Sequence, residues 1–146
     1  MLERFTTAPI ELPPADRPFE RADLIFYGLD HSGSSYEGQV FFDLRGVGAD
    51  ADTTHRAYVG SFFIFGHGGC FGDVGHCDIP TSRDPFDLRP PHQLEPALRV
   101  LTVTDAVKAL LERGVEMAKV TVNARTAARK GADVLAFDTV RLATYA

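Results

Sequence analysis

Ala57-Tyr-Val-Gly-Ser-Phe-Phe-Ile-Phe65 is the stretch of sequence that decides the fold class. It consists mainly of aromatic and β-branched residues, which favour strands. Because side chains alternate between the two faces of a strand, Phe62 and Ile64 share one face, and Phe63 and Phe65 share the other. A strand that is apolar on both faces is typical of a sheet covered on both sides. We therefore predict a central strand here.

Further strands are predicted on both sides of this stretch, because short apolar runs alternate with turn-forming residues. The predicted strands are Asp23–Tyr27, Tyr36–Asp43, Arg99–Val103, Val115–Val122 and Val134–Tyr145. The last two are expected to pair with each other as a closing pair. Within the final run the apolar residues change parity, which predicts a bulge or kink near Asp138 and Thr139.

One helix is predicted, from Asp105 to Arg113. Thr104 is expected to cap its amino end, and Gly114 is expected to provide a left-handed exit. Charges at its two ends match the helix dipole, with Asp105 in the first turn and Arg113 in the last. Its apolar stripe consists of Val107, Leu110 and Leu111.

The domain organisation follows from the length of the chain and the positions of proline. With 146 residues the chain has room for one core. Prolines cluster in Pro9–Pro18, which predicts an extended arm over residues 1–21 that lies along the body without an element of its own, pinned by Phe5 and Phe19. Residues 22–146 are predicted to form a single, mainly β domain: an antiparallel β-sandwich or barrel-like fold with one short helix and a long irregular Gly/Pro-rich loop.

Composition excludes several functional classes. The formal net charge is -5, so a nucleic-acid backbone would be repelled and no nucleic-acid partner is expected. No apolar run approaches the roughly 18 residues that cross a bilayer, so no membrane partner is expected either. The amino terminus carries an acidic residue and lacks the apolar core of a secretory signal. We expect a cytoplasmic protein or a piece of a longer one.

The long loop, from Gly66 to Ala97, contains the strongest chemical signal. Both cysteines of the chain and two of its five histidines lie close together there among glycines. Thiolate and imidazole bind copper or zinc, and glycine lets the backbone bring several of them to one ion. The candidate ligands are His67, Cys70, His76 and Cys77, with His31, His55 and Asp73 as possible additions. His31 and His55 are expected to be solvated loop residues unless they complete this site.

Two other interpretations of the loop remain open. Cys70 and Cys77 can pack as small apolar side chains or join in a disulfide, with the glycines serving only turns. Alternatively, a neighbouring histidine, His67 or His76, can activate one thiol as a nucleophile, since an imidazolium lowers the pKa of a cysteine.

Three motifs together resemble the carboxy-terminal β-sandwich domain of the tyrosinase and polyphenol oxidase family. They are the strand Ala57–Phe65 with its following Gly66-His67, the helix Thr104-Asp-Ala-Val-Lys-Ala-Leu-Leu-Glu-Arg-Gly114, and the strand Lys119-Val-Thr-Val-Asn123. The resemblance covers about residues 22 to 145. The sequence departs from the plant pattern in Asp23–Tyr27, where a lysine-phenylalanine signature is absent, and in the cysteine-containing loop.

The resemblance implies a non-catalytic accessory role, because the family's chemistry resides in a separate helical domain with two coppers, each held by three histidines. This chain has five histidines and cannot be a whole tyrosinase. The expected partner is a tyrosinase-like copper oxidase domain or subunit, which this module would shield or supply with copper. The alternatives are a metal-free structural interaction domain and a small metal- or thiol-dependent enzyme that uses the same cluster.

Overall fold

The structure, a computed structural model, describes residues 2–67, 85–86, 95–127 and 135–146. In these ranges the chain forms eight strands in two antiparallel sheets and one helix. In chain order the elements are β1 (Leu2–Thr6), β2 (Ile10–Glu11), β3 (Arg21–Leu29), β4 (Tyr36–Asp43), β5 (Tyr58–Ile64), β6 (Ala97–Thr102), α1 (Thr104–Glu112), β7 (Met117–Arg125) and β8 (Thr139–Tyr145). The predicted mainly β architecture is confirmed.

The two sheets are packed as a sandwich, which settles the choice between sandwich and barrel. The larger sheet has the order β1-β7-β4-β5, and β2 pairs with β7 beside β1. The smaller sheet has the order β6-β3-β8. Alternate residues of both sheets point inward, so Leu24 and Phe26 of β3 meet Val40 of β4 and Val122 of β7 in one core. Each such side chain contributes about 1.5–3 kcal/mol through burial.

Among the described residues β5 lies at an edge of the larger sheet, which differs from the predicted central position. Its inward face is as predicted, because Phe62 and Ile64 are buried in the core. Its outward face is not covered, since Phe63 is 66% exposed and Phe65, just beyond the strand, is 83% exposed. Alternation shows which face a side chain takes but does not show whether another layer covers that face.

The predicted closing pair of strands is also wrong, because its two members lie in different sheets. β7 is an inner strand of the larger sheet, between β1 and β4, whereas β8 pairs with β3 in the smaller sheet. The predicted kink is confirmed: the backbone bends at Asp138, and regular pairing begins at Thr139. The bend lets Phe137, which differs in parity from Val140, pack against the same core.

The helix α1 matches the prediction within one residue at each end, but its cap does not. Thr104 is the first helical residue, and its Oγ1 accepts a hydrogen bond from the backbone N–H of Ala22 at 3.0 Å. Its hydroxyl therefore links the helix to β3 and does not cap the helix. Gly114 has φ 75°, as the predicted left-handed exit requires. Arg113 follows the last turn and makes an ion pair with Asp43 at 3.3 Å.

The predicted arm is extended, but it contributes two strands to the larger sheet and does not merely lie along the body. Leu12 is buried in the main core, and Phe5 packs against Phe137 with 4.7 Å between ring centroids. Phe19 also packs against the core, as predicted. The division of the chain at residues 21 and 22 stays a prediction.

Candidate functional site

Two loop segments meet at one end of the sandwich and bring two histidines together. The first connects β3 to β4 and contains His31; the second leaves β5 and contains His67. Their backbones touch, because a Cβ at Gly66 would overlap the carbonyl of Gly33 and the backbone of Ser34 and Ser35. The Gly66 N–H donates to Ser35 Oγ at 3.0 Å. We call the group His31, Ser35, Gly66 and His67 the histidine corner.

The two imidazole rings of the histidine corner are in direct contact. Their centroids lie 5.0 Å apart with an interplanar angle of 64°. His31 Nε2 lies 2.6 Å from the carbonyl oxygen of Glu95. His67 is tied twice to the carbonyl oxygen of His31, by its backbone N–H at 3.0 Å and by its ring Nδ1 at 3.2 Å. Both side chains are half-buried.

A negative charge lies next to His31. The Ser32 backbone N–H donates to Asp30 Oδ1 at 2.8 Å. This hydrogen bond, a second one from the Ser32 side chain, and the nearby His31 lower the pKa of the Asp30 carboxyl below its ordinary value. Asp30 is therefore ionised at neutral pH.

Of the predicted metal ligands, the structure brings His31 and His67 together. Cys70, Asp73, His76 and Cys77 lie outside the described residues. In the ranges that the structure describes, no three or more His, Cys, Asp or Glu residues are grouped so that they could hold a metal ion. The predicted four-ligand site therefore stays a prediction, and His31, expected only as an addition, is the residue that meets His67.

His55 lies at the opposite end of the β4–β5 hairpin and does not join the histidine corner. Its ring packs on Phe41 at 5.9 Å, and its Nδ1 accepts a hydrogen bond from the Ala57 N–H at 3.1 Å. The histidine corner lies beside Tyr36. Tyr36 is five residues from Phe41 along β4, which corresponds to about 17 Å at the rise per residue of a strand. His55 is exposed in a loop, as predicted for a residue outside the site.

Residues 44–57, which connect β4 to β5, fold over the outer face of the larger sheet; we call them the packed loop. Asn123 Nδ2 donates to the carbonyls of Gly48 and Ala51 at 3.1 and 3.3 Å. Arg4 donates to the carbonyl of Val47 at 3.0 Å, and Arg125 donates to that of Ala51 at 2.9 Å. The packed loop is thus held by side chains of β1 and β7.

Sequence reasoning missed this polar face of β7, although a signal was present. Thr121, Asn123 and Arg125 alternate with apolar residues of β7, which places all three on the face opposite the core. Thr121 and Asn123 are nevertheless almost fully buried, at 1% and 0% exposure, because the packed loop covers them. An outward polar residue that is buried indicates a covering segment.

Exposed apolar side chains flank the sandwich edge where β5 and β6 meet. Leu101 of β6 would contact a Cβ at Gly60 of β5, and Arg99 Nε donates to the carbonyl of Phe63 at 3.2 Å. We call the exposed residues there the edge patch: Phe63, Phe65, Leu98 and Val100, of which the last two are 50% and 48% exposed. Gly66 and His67 follow Phe65 directly, so the edge patch and the histidine corner adjoin.

No helix in the described ranges has the length and apolar character needed to cross a membrane.

The strand order defines an antiparallel β-sandwich, and comparison with known proteins supports this fold. No protein-family model matches the sequence, and no curated protein matches it significantly. Among solved structures, the chain is similar to one described as latent aurone synthase (polyphenol oxidase) from natural source, with a TM-score of 0.57 and 15% identity. The match covers 98% of this chain and 24% of that chain, so this chain spans about a quarter of that protein. At this identity the likeness shows the fold alone.

Proposed function

We propose that this chain is a non-catalytic accessory domain that docks on a tyrosinase-like copper oxidase and shields its active site. One observation carries the proposal: nearly the whole chain matches a quarter of a polyphenol oxidase structure. A fold that forms one part of a larger oxidase is suited to act beside the rest of such an enzyme. Fold likeness alone is an analogy, so the surface must support the role as well.

The edge patch supplies such a surface. Exposed apolar side chains that form a contiguous patch mark interaction sites on soluble proteins. Phe63 and Phe65 project from a sheet edge in the described part of the chain, and aromatic residues dominate the energetics of protein interfaces. Burying each of these rings on a partner would contribute about 1.5–3 kcal/mol before the costs of association.

The histidine count also supports a non-catalytic role. A binuclear copper centre of the tyrosinase type needs six histidines, and this chain has five. His55 is separated from His31 and His67 by the length of the β4–β5 hairpin. Catalysis in this proposal belongs to the partner.

An inhibition assay tests the proposal. The purified chain is added to a tyrosinase-like copper oxidase from the same source that has been prepared without a sandwich domain of its own, and oxygen consumption with a diphenol is followed. We expect inhibition that saturates with the concentration of the chain, and at least tenfold weaker inhibition by the double variant Phe63→Ser, Phe65→Ser.

Leu44→Ser provides the matched control, because Leu44 is 49% exposed but lies in the packed loop, away from the edge patch. It should inhibit like the unmodified chain. Absence of inhibition by the unmodified chain would contradict the docking role. Equal inhibition by the double variant would show that docking uses another surface.

Copper handling is the second candidate function, and the contact between His31 and His67 favours it. Imidazole nitrogen suits copper and zinc, so the donor set fits such a metal. Cys70, His76 and Cys77, with Asp73 as an addition, remain predicted further ligands. Titration with Cu(I) tests whether the cysteines are ligands. Cys70→Ser and Cys77→Ser should each weaken Cu(I) binding. Unchanged binding in both variants would favour a metal-free interaction domain.

A further inference from the structure

We infer that the groove between α1 and the start of β5 binds a small organic carboxylate, with Arg56 and Arg113 holding its charged end. The groove has a volume of about 370 Å³, within the range of ligand pockets, which is about 300–1,000 Å³. It adjoins Asp43 at the end of β4, whereas the histidine corner lies beside Tyr36 at the beginning of that strand. The inference is independent of the accessory role and of copper handling.

One face of α1 forms the first wall of this groove. Its lining residues recur three or four positions apart, so they lie on the same side of the helix: Ala106, Ala109, Leu110 and Arg113. The two alanines end at Cβ and leave room beside the helix. The facing wall consists of Phe42, Asp43, Arg56, Ala57, Tyr58 and Val59. Most of these residues are apolar, so the groove suits a ligand that has a hydrocarbon chain as well as a charge.

Asp43 brings the two arginines to the same groove. Its side chain is only 9% exposed, and its Oδ2 lies 3.0 Å from Nη2 of Arg56. Its Oδ1 lies 3.3 Å from Nη1 of Arg113 and also accepts the Leu44 N–H at 2.8 Å. One buried carboxylate therefore fixes two guanidinium groups, and Asp43 acts as a positioning residue.

Both guanidinium groups retain donors for a ligand. A guanidinium has five N–H donors, and in the part of the chain that the structure describes each of the two makes contact only with Asp43. The side chains of Arg56 and Arg113 are 72% and 48% exposed, so their other N–H groups are accessible from the groove. The fork of N–H groups matches a carboxylate, and such charge-assisted hydrogen bonds are stronger than neutral ones.

The charges around the groove favour a singly charged anion. Two guanidinium groups face the single carboxylate of Asp43, which leaves one positive charge among the lining residues. Lys119 of β7 is paired with Asp43 across the sheet and adds a further positive charge nearby. The acidic residues of α1, Asp105 and Glu112, do not line the groove. A purely structural partner for Asp43 would require only one arginine, so the second is available to a ligand.

The carboxy end of α1 does not cancel this attraction. Free carbonyls at a helix end carry partial negative charge and repel anions. Here the carbonyls of Ala109 and Leu110 accept the Arg113 N–H, and that of Leu111 accepts the Gly114 N–H at 2.9 Å. These backbone hydrogen bonds leave the Arg113 side chain as the charged group that this end of the helix presents to the groove.

Titration of the full chain with hexanoate, followed by NMR, tests the inference without a variant. The Nε–H signals of Arg56 and Arg113 should shift and saturate, with a dissociation constant in the millimolar range. Acetate should bind at least tenfold more weakly, because it lacks the apolar chain. Hexan-1-ol, which has the chain but no charge, should leave the two signals in place. Absence of a shift with hexanoate, or equal binding of hexan-1-ol, would overturn the inference.

Substitution of the arginines provides the second measurement. Arg56→Gln and Arg113→Gln should each weaken hexanoate binding at least fivefold, because each removes a charged donor group. The matched control is Arg141→Gln, since Arg141 is an exposed arginine of β8 in the smaller sheet and should not affect binding. Backbone ¹H–¹⁵N spectra show whether each variant is folded, and the titration of the unmodified chain decides if one is not. Folded variants that bind hexanoate like the unmodified chain would overturn the inference.

Discussion

The two ends of the β4–β5 hairpin use polar side chains in different ways. At the packed loop, Asn123, Arg4 and Arg125 donate to backbone carbonyls of the loop and hold it on the sheet. At the histidine corner, the rings of His31 and His67 also meet backbone carbonyls, and the two rings contact each other with 5.0 Å between their centroids. The first end fixes a loop on the sheet, whereas the second brings two imidazole rings together.

Asn123→Ala should have the largest effect on stability. The side chain is fully buried and donates to two loop carbonyls, so its removal leaves the carbonyl of Gly48 without this donor. We expect the free energy of unfolding, measured by urea denaturation, to fall by about 2 kcal/mol. Zinc affinity should not change, because the histidine corner lies at the other end of the hairpin. A loss of stability under about 0.5 kcal/mol would show that the packed loop does not depend on this residue.

Gly66→Ala should affect both stability and metal binding. A methyl group at this position would overlap the backbone of Gly33, Ser34 and Ser35 and separate the two loop segments. We expect a destabilisation of about 1–2 kcal/mol and a zinc affinity at least tenfold lower.

The matched control is Gly114→Ala, since Gly114 has a positive φ but a Cβ there would meet no atom within 4 Å. Gly114→Ala should lower the free energy of unfolding by about 1 kcal/mol through backbone strain and leave zinc affinity unchanged. Equal zinc affinity in both glycine variants would contradict the role of Gly66 in bringing the histidines together.

Asp30 and Asp52 form similar turns at the two ends of the β4–β5 hairpin. Each should make a smaller contribution to the free energy of unfolding, and this contribution depends on pH. Hydrogen bonds from Ser32 lower the pKa of Asp30, and those from the Thr54 side chain and backbone lower the pKa of Asp52. Because the folded pKa values lie below the unfolded ones, this stability is present above the unfolded pKa of about 3.9 and is lost as pH falls through the folded values.

The double variant Asp30→Asn, Asp52→Asn should therefore lose less stability than the unmodified chain between pH 5 and pH 2, as measured by urea denaturation at each pH. The single variants should each account for part of the difference. A pH dependence identical to that of the unmodified chain would contradict the assigned pKa directions.

Phe63→Ser with Phe65→Ser should have the smallest effect on stability. Both rings are mostly exposed, and surface substitutions usually change the free energy of unfolding by less than about 0.5 kcal/mol. Thermal and urea unfolding should therefore match the unmodified chain while inhibition of the oxidase weakens. A destabilisation above about 1 kcal/mol would show that these residues support the fold.

The alternation of residues predicted the strands well, because burial repeats with the period of a strand. Phe62 and Ile64 are buried as expected, and the kink near Asp138 follows from the parity of the neighbouring apolar residues. The same alternation could not show that β5 ends a sheet or that β8 pairs with β3, since strand order depends on contacts between distant segments. The exposed Phe63 shows this limit most clearly.

The histidine corner was predictable only in part. His67 was identified from its chemistry and its glycine-rich surroundings, but its contact with His31 depends on the close approach of two loops at Gly66. The hydrogen bond between the His31 ring and the Glu95 carbonyl also joins distant segments, since Glu95 precedes β6. Residue type indicates which side chains can bind a metal, whereas only the fold shows which of them meet.

Anomalous scattering from zinc-soaked crystals, recorded above and below the zinc absorption edge, tests most directly whether the histidine corner binds a metal and the packed loop does not. The account predicts a peak between His31 and His67 and no peak at His55. A map with no peak at the histidine corner, or with zinc at His55 and none between His31 and His67, would contradict it.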